Sequence, residues 1–81
     1  MLTVYGMMIC PDCVKCRQEL DEAGVMYEFR DFGECTKNLK EFLALRDTHP
    51  AFAEPKAEGK IGIPCIVTPE GDIALDWARF F

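Results

Sequence analysis

The sequence has no long apolar run and few basic residues. No apolar stretch approaches the roughly 20 residues that span a bilayer. Met1 is not followed by the basic segment and apolar stretch that are typical of a signal peptide. We therefore expect a cytoplasmic protein without a membrane partner. Lys and Arg total 9 against 14 Asp and Glu, for a net charge of −5. Because nucleic-acid-binding domains need a basic surface, no nucleic-acid partner is expected.

The chain is also too short for a second hydrophobic core. Its 81 residues are 49% hydrophobic and 28% charged, which is the balance of a globular chain rather than a disordered one. We predict a single domain over residues 1–81 and expect it to be a monomer.

The chain's 5 cysteines cannot all pair internally. Cys10, Cys13 and Cys16 cluster within residues 10–16. Without a secretion signal, such a cluster favours redox or metal chemistry over structural disulfides.

The first part of the chain predicts a β-α-β unit. A β-prone stretch at residues 2–6 precedes Pro11, which suits the first position of a helix because its missing N–H needs no partner there. Gly24 can end that helix. A second strand over residues 25–30 would complete a right-handed unit with parallel strands.

The first helix has an apolar stripe and a charged face. On the charged face, Lys15–Glu19 and Arg17–Asp21 are opposite charges four residues apart, which predicts two ion pairs. The residues predicted to face the core are Cys13, Cys16, Leu20 and Ala23.

The middle of the chain predicts a second helix and a long loop. Thr36 is expected to cap this helix, which would run to about Arg46, and residues 47–60 would form the loop, with a helical turn near residues 51–53. The inner positions of the helix are expected to be Leu39, Phe42, Leu43 and the stem of Arg46.

The last part predicts an antiparallel hairpin. Strands at residues 63–68 and 73–75 flank a tight turn at residues 69–72, and Asp76 can cap a helical turn that ends at Phe81. The order β-α-β-α-β-β-α thus predicts an α/β fold with one mixed four-stranded sheet and helices on both faces.

The Cys10-Pro11-Asp12-Cys13 motif carries the main chemical signal. Cys10 would be the N-cap of the first helix, where unpaired backbone N–H groups and the positive end of the helix dipole stabilise a thiolate. Because a thiolate attacks in disulfide exchange, Cys10 is the candidate nucleophile. Cys13, one turn deeper, stays protonated longer and is the candidate resolving thiol. Asp12 is expected to be a solvated acid of the first turn.

Ile63-Pro64 is the second candidate site feature. A proline at the start of an apolar strand cannot donate to the sheet, and X–Pro bonds are the common place for a cis peptide. Such a bond would direct the Ile63 backbone toward the Cys10 region. Cys65 follows directly and is explained more simply as a strand residue than as a third reactive thiol.

These motifs and the element order resemble the glutaredoxin family of the thioredoxin fold. The resemblance covers about residues 1–46 and 61–78 and implies a thioredoxin-like, four-stranded mixed sheet and thiol–disulfide oxidoreductase activity. It implies Cys10 and Cys13 as catalytic thiols, and Pro11, Ile63 and Pro64 as substrate contacts.

The resemblance further implies a disulfide-bearing protein or a glutathionylated molecule as substrate, with glutathione as a candidate reductant and no bound cofactor or metal. Met7 stands where the family usually has a basic residue, and Ala74 and Leu75 stand where it has two glycines that help to hold glutathione. Residues 47–60 also form a longer loop than is usual. These differences concern glutathione binding and leave the dithiol chemistry intact.

Two other classes of function stay open. The cysteines at residues 10–16 match the first part of a ferredoxin iron–sulfur run, which requires a further Cys where this chain has Leu20. A tetrahedral metal site would need Cys35 or Cys65 to join the cluster. The remaining class is a non-catalytic thioredoxin-fold binding module with unreactive thiols.

Other conspicuous residues have structural explanations. Cys16 is expected to pack in the core, Cys35 to be a semi-exposed free thiol, and His49 to cap a helix end or lie on the surface. Three aromatic residues are expected to seal the core at the C-terminus: Trp77, Phe80 and Phe81.

Overall fold

Four strands form one mixed β-sheet at the centre of the fold. The computed structural model describes residues 1–81, and its strands are β1 (Leu2–Gly6), β2 (Tyr27–Asp31), β3 (Cys65–Val67) and β4 (Ile73–Ala74). Their order in the sheet is β2-β1-β3-β4. β1 pairs parallel with β2 and antiparallel with β3, and β3 pairs antiparallel with β4. The predicted mixed sheet, parallel β-α-β unit and hairpin are confirmed, although β3 and β4 are shorter than predicted.

Three α-helices and two 3₁₀ turns connect the strands. The helices are α1 (Pro11–Glu22), α2 (Thr36–Thr48) and α3 (Ala53–Ala57), and the 3₁₀ turns are Pro50–Phe52 and Trp77–Phe80. None of the helices is long and apolar enough to cross a membrane.

The segment predicted as a long loop is mostly helical, so the prediction of a loop is wrong, whereas the helical turn expected near residues 51–53 is present at Pro50–Phe52. α2 continues to Thr48, and Pro50 then starts a new turn instead of extending α2, because proline suits a first helical position but not an interior one. His49 ends α2, and its Nδ1 accepts a hydrogen bond from the Ala51 N–H at 3.0 Å. Its predicted role as a helix cap is therefore confirmed.

The sheet has a hydrophobic cluster on each face, which confirms the prediction of helices on both sides. One cluster joins Leu2 and Val4 of β1 to Cys16 and Leu20 of α1. The other joins Tyr5 to residues of α2, the first 3₁₀ turn and β3, namely Phe42, Phe52 and Cys65. Since neighbouring residues of a strand point to opposite faces, β1 contributes to both clusters.

Two predictions for α1 need correction. Ala23 is exposed because the helix ends at Glu22, and Gly24 then takes a φ of +73°. Arg17 and Asp21 form no ion pair, because the Tyr27 hydroxyl lies between them. Arg17 Nε donates to Tyr27 Oη at 3.4 Å, and Tyr27 Oη donates to Asp21 Oδ1 at 2.8 Å.

The second expected pair of α1, Lys15–Glu19, does form, with 4.0 Å between nitrogen and oxygen.

α2 also differs in two details from its prediction. Its N-cap is Cys35, and Thr36 is already the first helical residue. Leu43 is 40% exposed, whereas Leu45 packs against the cluster around Phe42. Residues three apart lie on the same face of a helix, so Leu45 lies on the buried face with Phe42. Leu43 follows Phe42 directly and therefore lies off that face.

The C-terminal turn covers the cluster next to α1. Asp76 Oδ1 accepts from the Ala78 N–H at 3.0 Å, which confirms the predicted cap. Trp77 and Phe80 pack on the cluster, and the Trp77 indole N–H donates to Glu19 Oε1 at 2.9 Å. Phe81 is 58% exposed, so the prediction that it helps to seal the core is wrong.

Gly62 generates a first prediction, because it has both an unusual φ and a crowded surrounding. Its φ is +94°, and an added Cβ would lie 2.8 Å from Cδ1 of the buried Phe52 ring. Gly62→Ala should lower the free energy of unfolding by more than about 1 kcal/mol. Gly59 has a similar φ of +74° but open space around it, so Gly59→Ala should cost less. Urea unfolding measures both, and equal losses would contradict the account of the Phe52 contact.

Candidate functional site

Cys10 lies at the N-cap of α1, the position that the sequence predicts for it. Its backbone is extended, with φ −90° and ψ 120°, and Pro11 is the first helical residue. The Cys10 N–H donates to the Met7 carbonyl at 3.1 Å, and the Cys10 carbonyl accepts from the Val14 N–H at 3.1 Å. These two bonds fix the backbone on both sides of the residue, while the side chain makes no capping bond and stays half-buried.

Two backbone donors next to Cys10 are free. The N–H groups of Asp12 and Cys13, the second and third residues of α1, donate to no acceptor in the structure. Such orphan donors, together with the dipole of a 12-residue helix, favour negative charge at the helix start. The Asp12 side chain is exposed in this first turn, as expected.

Cys13 lies one turn deeper and is fully buried. Burial raises the pKa of the Cys13 thiol to about 12, and a hydrogen bond with Cys10 acts in the same direction, whereas a hydrogen bond from the Met7 backbone opposes them. The inner thiol is therefore close enough to Cys10 to interact with it, and its raised pKa keeps it protonated.

Gly6, at the end of β1, makes room for the inner sulfur. An added Cβ at this position would lie 2.6 Å from Cys13 Sγ and 3.4 Å from Phe29 Cε1. The sequence reasoning did not single out Gly6. The available signal was a glycine in the strand that precedes the motif, since a strand glycine often marks a close approach by another group.

Ile63 and Pro64 line the same cleft as Cys10. Their peptide bond is cis, and the cleft is open, with a volume of about 770 Å³. The backbone N–H and C=O of Ile63 form no hydrogen bond within the chain. The lining of the cleft therefore includes a residue whose backbone donor and acceptor are both unpaired.

Pro11 is not brought together with these residues. It is exposed and does not line the cleft. The expectation that Pro11 contacts substrate in this cleft therefore finds no support in the geometry.

Arg46 holds the segment that leads to Ile63. Its Nε donates to the Ile61 carbonyl at 2.7 Å, and its Nη2 donates to the Lys60 carbonyl at 2.8 Å. Sequence reasoning placed only the stem of Arg46 on the inner face of α2. The guanidinium contacts could not be inferred, because they join residues about fifteen positions apart across α3, a helix that the sequence did not predict.

The other three cysteines are two core residues and one surface residue. Cys16 is buried in the cluster next to α1, where burial raises its pKa to about 11. Cys65 is buried on the opposite face of the sheet, where burial raises its pKa to about 12. Both are core residues, as expected, and Cys35 is exposed. No group of three His, Cys, Asp or Glu side chains converges as metal ligands in the structure.

Fold and site together define an α/β domain with a cysteine pair at a helix start, open to a cleft on one side. An "Uncharacterized protein" of Haemophilus influenzae is 40% identical to the chain over 70 residues, which are 86% of this chain and 81% of that protein. This chain belongs to the same family as the Haemophilus influenzae protein. No family model matches the chain, and no solved structure matches it.

The burial of the cysteines predicts how many of them an alkylating reagent can reach. At pH 8, iodoacetamide should modify Cys10 and Cys35 in the folded protein. Cys13, Cys16 and Cys65 should resist, because their raised pKa values keep them as thiols at that pH and a thiolate is the attacking species. Mass spectrometry should find two adducts on the folded chain and five after unfolding.

A Cys35→Ser variant is the matched control and should carry one adduct when folded. A third rapid adduct on the folded wild-type chain would contradict the assigned burial.

Proposed function

We propose that this protein is a thiol–disulfide oxidoreductase of glutaredoxin type with a thioredoxin-like fold. The observation that supports this most is the position of Cys10 at the start of α1, with the buried Cys13 one turn deeper. The sheet order β2-β1-β3-β4, with one parallel and two antiparallel pairs, is compatible with that fold.

The first step joins the protein to its substrate. The Cys10 sulfur, as thiolate, attacks one sulfur of a substrate disulfide, and a mixed disulfide forms between them. The substrate's other sulfur leaves as a thiolate and takes up a proton from water. The free N–H groups of Asp12 and Cys13 stabilise the negative charge on Cys10 before the attack.

The second step releases the substrate. Cys13 gives up its proton and attacks the Cys10 sulfur, so that the Cys10–Cys13 disulfide forms and the substrate's remaining sulfur leaves as a thiolate. The substrate has then gained two electrons and two protons, which the two cysteines have lost. Burial of Cys13 delays its ionisation, so Cys13 does not compete with Cys10 for the first attack.

The unpaired backbone groups of Ile63 support the binding of substrate beside Cys10. An extended segment next to the sulfur can accept from the Ile63 N–H and donate to the Ile63 carbonyl, as when a strand is added to a sheet edge. Arg46 keeps the protein's own segment before Ile63 in place, because it donates to the carbonyls of Lys60 and Ile61.

Serine substitutions separate the two roles of the pair. Cys10→Ser should abolish reduction of a peptide disulfide, because no sulfur remains at the start of α1 to attack it. Cys13→Ser should instead retain the first step and accumulate a mixed disulfide on Cys10, which mass spectrometry would detect as the added mass of the peptide. Exposed Cys35 is the control, and Cys35→Ser should react at the wild-type rate. Full activity in Cys10→Ser would refute the assignment of the nucleophile.

Gly6→Ala tests the position of the inner sulfur. The added methyl group would displace Cys13 Sγ, and a displacement of about 1 Å can slow an aligned reaction by about a hundredfold. We expect the first step to keep its rate while the second slows, so that the mixed disulfide accumulates transiently. Mass spectrometry of samples quenched during the reaction gives both rates. An unchanged rate of the second step in a folded variant would contradict the assigned position of the Cys13 sulfur.

A further inference from the structure

The cleft beside Cys10 carries an excess of negative charge. Three carboxylates and one ammonium group line it: Asp12, Glu54, Glu58 and Lys60. Lys60 Nζ lies 3.3 Å from Glu58 Oε1, so the single cation is already paired. Asp12 and Glu54 form no ion pair in the structure, and both are exposed. Their charge acts on whatever enters the cleft.

Large apolar side chains are exposed along the same cleft. Ile9, the neighbour of Cys10, is 83% exposed, and Ile61 is 56% exposed. Ile63 and Leu75 continue the apolar lining. Exposed apolar side chains that are rimmed by charged ones are typical of a surface that binds another protein.

Ile63, whose backbone N–H and C=O are unpaired, belongs to this lining. These two groups suit a chain in extended conformation, because such a chain presents its own carbonyl and N–H groups along its edge.

We propose that the cleft binds a disulfide within an extended protein segment that has apolar side chains and Lys or Arg close to its cystine, in preference to glutathione disulfide. The inference rests on the proposed function and names its class of substrate. Glutathione disulfide has more carboxylates than ammonium groups, so Asp12 and Glu54 repel it, and the cleft offers no unpaired cation to receive its carboxylates. A basic segment meets the opposite charge.

The covalent steps are those of the proposed function. Cys10 forms a disulfide with one substrate sulfur. Cys13 then attacks the Cys10 sulfur and displaces the substrate sulfur. The substrate disulfide is reduced to two thiols while Cys10 and Cys13 are oxidised to one disulfide. A single turnover of the pre-reduced protein completes this exchange without a further reductant.

Three probes test the preference. Two of them are synthetic peptides, each with one intramolecular disulfide and with the same apolar residues. One peptide has Lys on either side of the cystine, and the other has Glu there. The third probe is glutathione disulfide. At low salt, the reduced protein should react with the Lys peptide at least about tenfold faster than with either of the others. The difference should shrink at high salt because the charges are exposed and screened.

Charge variants locate the effect. Glu54→Gln should reduce the ratio between the Lys and Glu peptides, because it removes an unpaired carboxylate from the cleft. Glu70 is the matched control, since it lies in the turn between β3 and β4 at the opposite end of the sheet. Glu70→Gln should leave the ratio unchanged.

The outcomes separate the two proposals. Equal rates for the two peptides, a fast reaction with glutathione disulfide, or a ratio that Glu54→Gln does not change would overturn the inference and leave the oxidoreductase function in place. If none of the three probes is reduced, the proposed function itself fails.

Discussion

The close approach of β1 and α1 at Gly6 is the contact on which the site depends. Only a residue without Cβ leaves room for Cys13 Sγ against the end of the strand, since an added Cβ would lie 2.6 Å from the sulfur. This contact buries Cys13, and burial is in turn the largest cause of its raised pKa. The chemical difference between the two sulfurs of the motif thus follows from how tightly one helix packs on one strand.

The rest of the domain positions the side of the cleft that lies opposite the start of α1. α2 and the first 3₁₀ turn pack through Phe42 and Phe52 on the other face of the sheet. From α2, Arg46 reaches the carbonyls of Lys60 and Ile61 and holds the segment before Pro64. The cleft beside Cys10 lies between a rigid helix terminus and a segment that is anchored from a different helix.

The parts of the fold that the sequence predicts well have local causes. Pro11 begins α1, Gly24 follows its end, and Asp76 caps the last turn, because each of these residues acts on its own few neighbours. The parts that it predicts badly depend on distant residues. Tyr27 separates Arg17 from Asp21 only because β2 passes beside α1. In the site, the Cys10 position followed from its motif, whereas Gly6 and Arg46 matter through contacts that exist only after folding.

In the proposed function, Cys10 and Cys13 exchange electrons with a substrate disulfide as a pair. The most direct measurement is to react the reduced wild-type protein with one equivalent of a peptide disulfide, block the remaining thiols, and map the products by mass spectrometry of proteolytic fragments. The account predicts a single Cys10–Cys13 disulfide, with Cys16, Cys35 and Cys65 recovered as blocked thiols. A disulfide that includes any of those three, or a fully reduced chain beside an unreacted peptide, would contradict it.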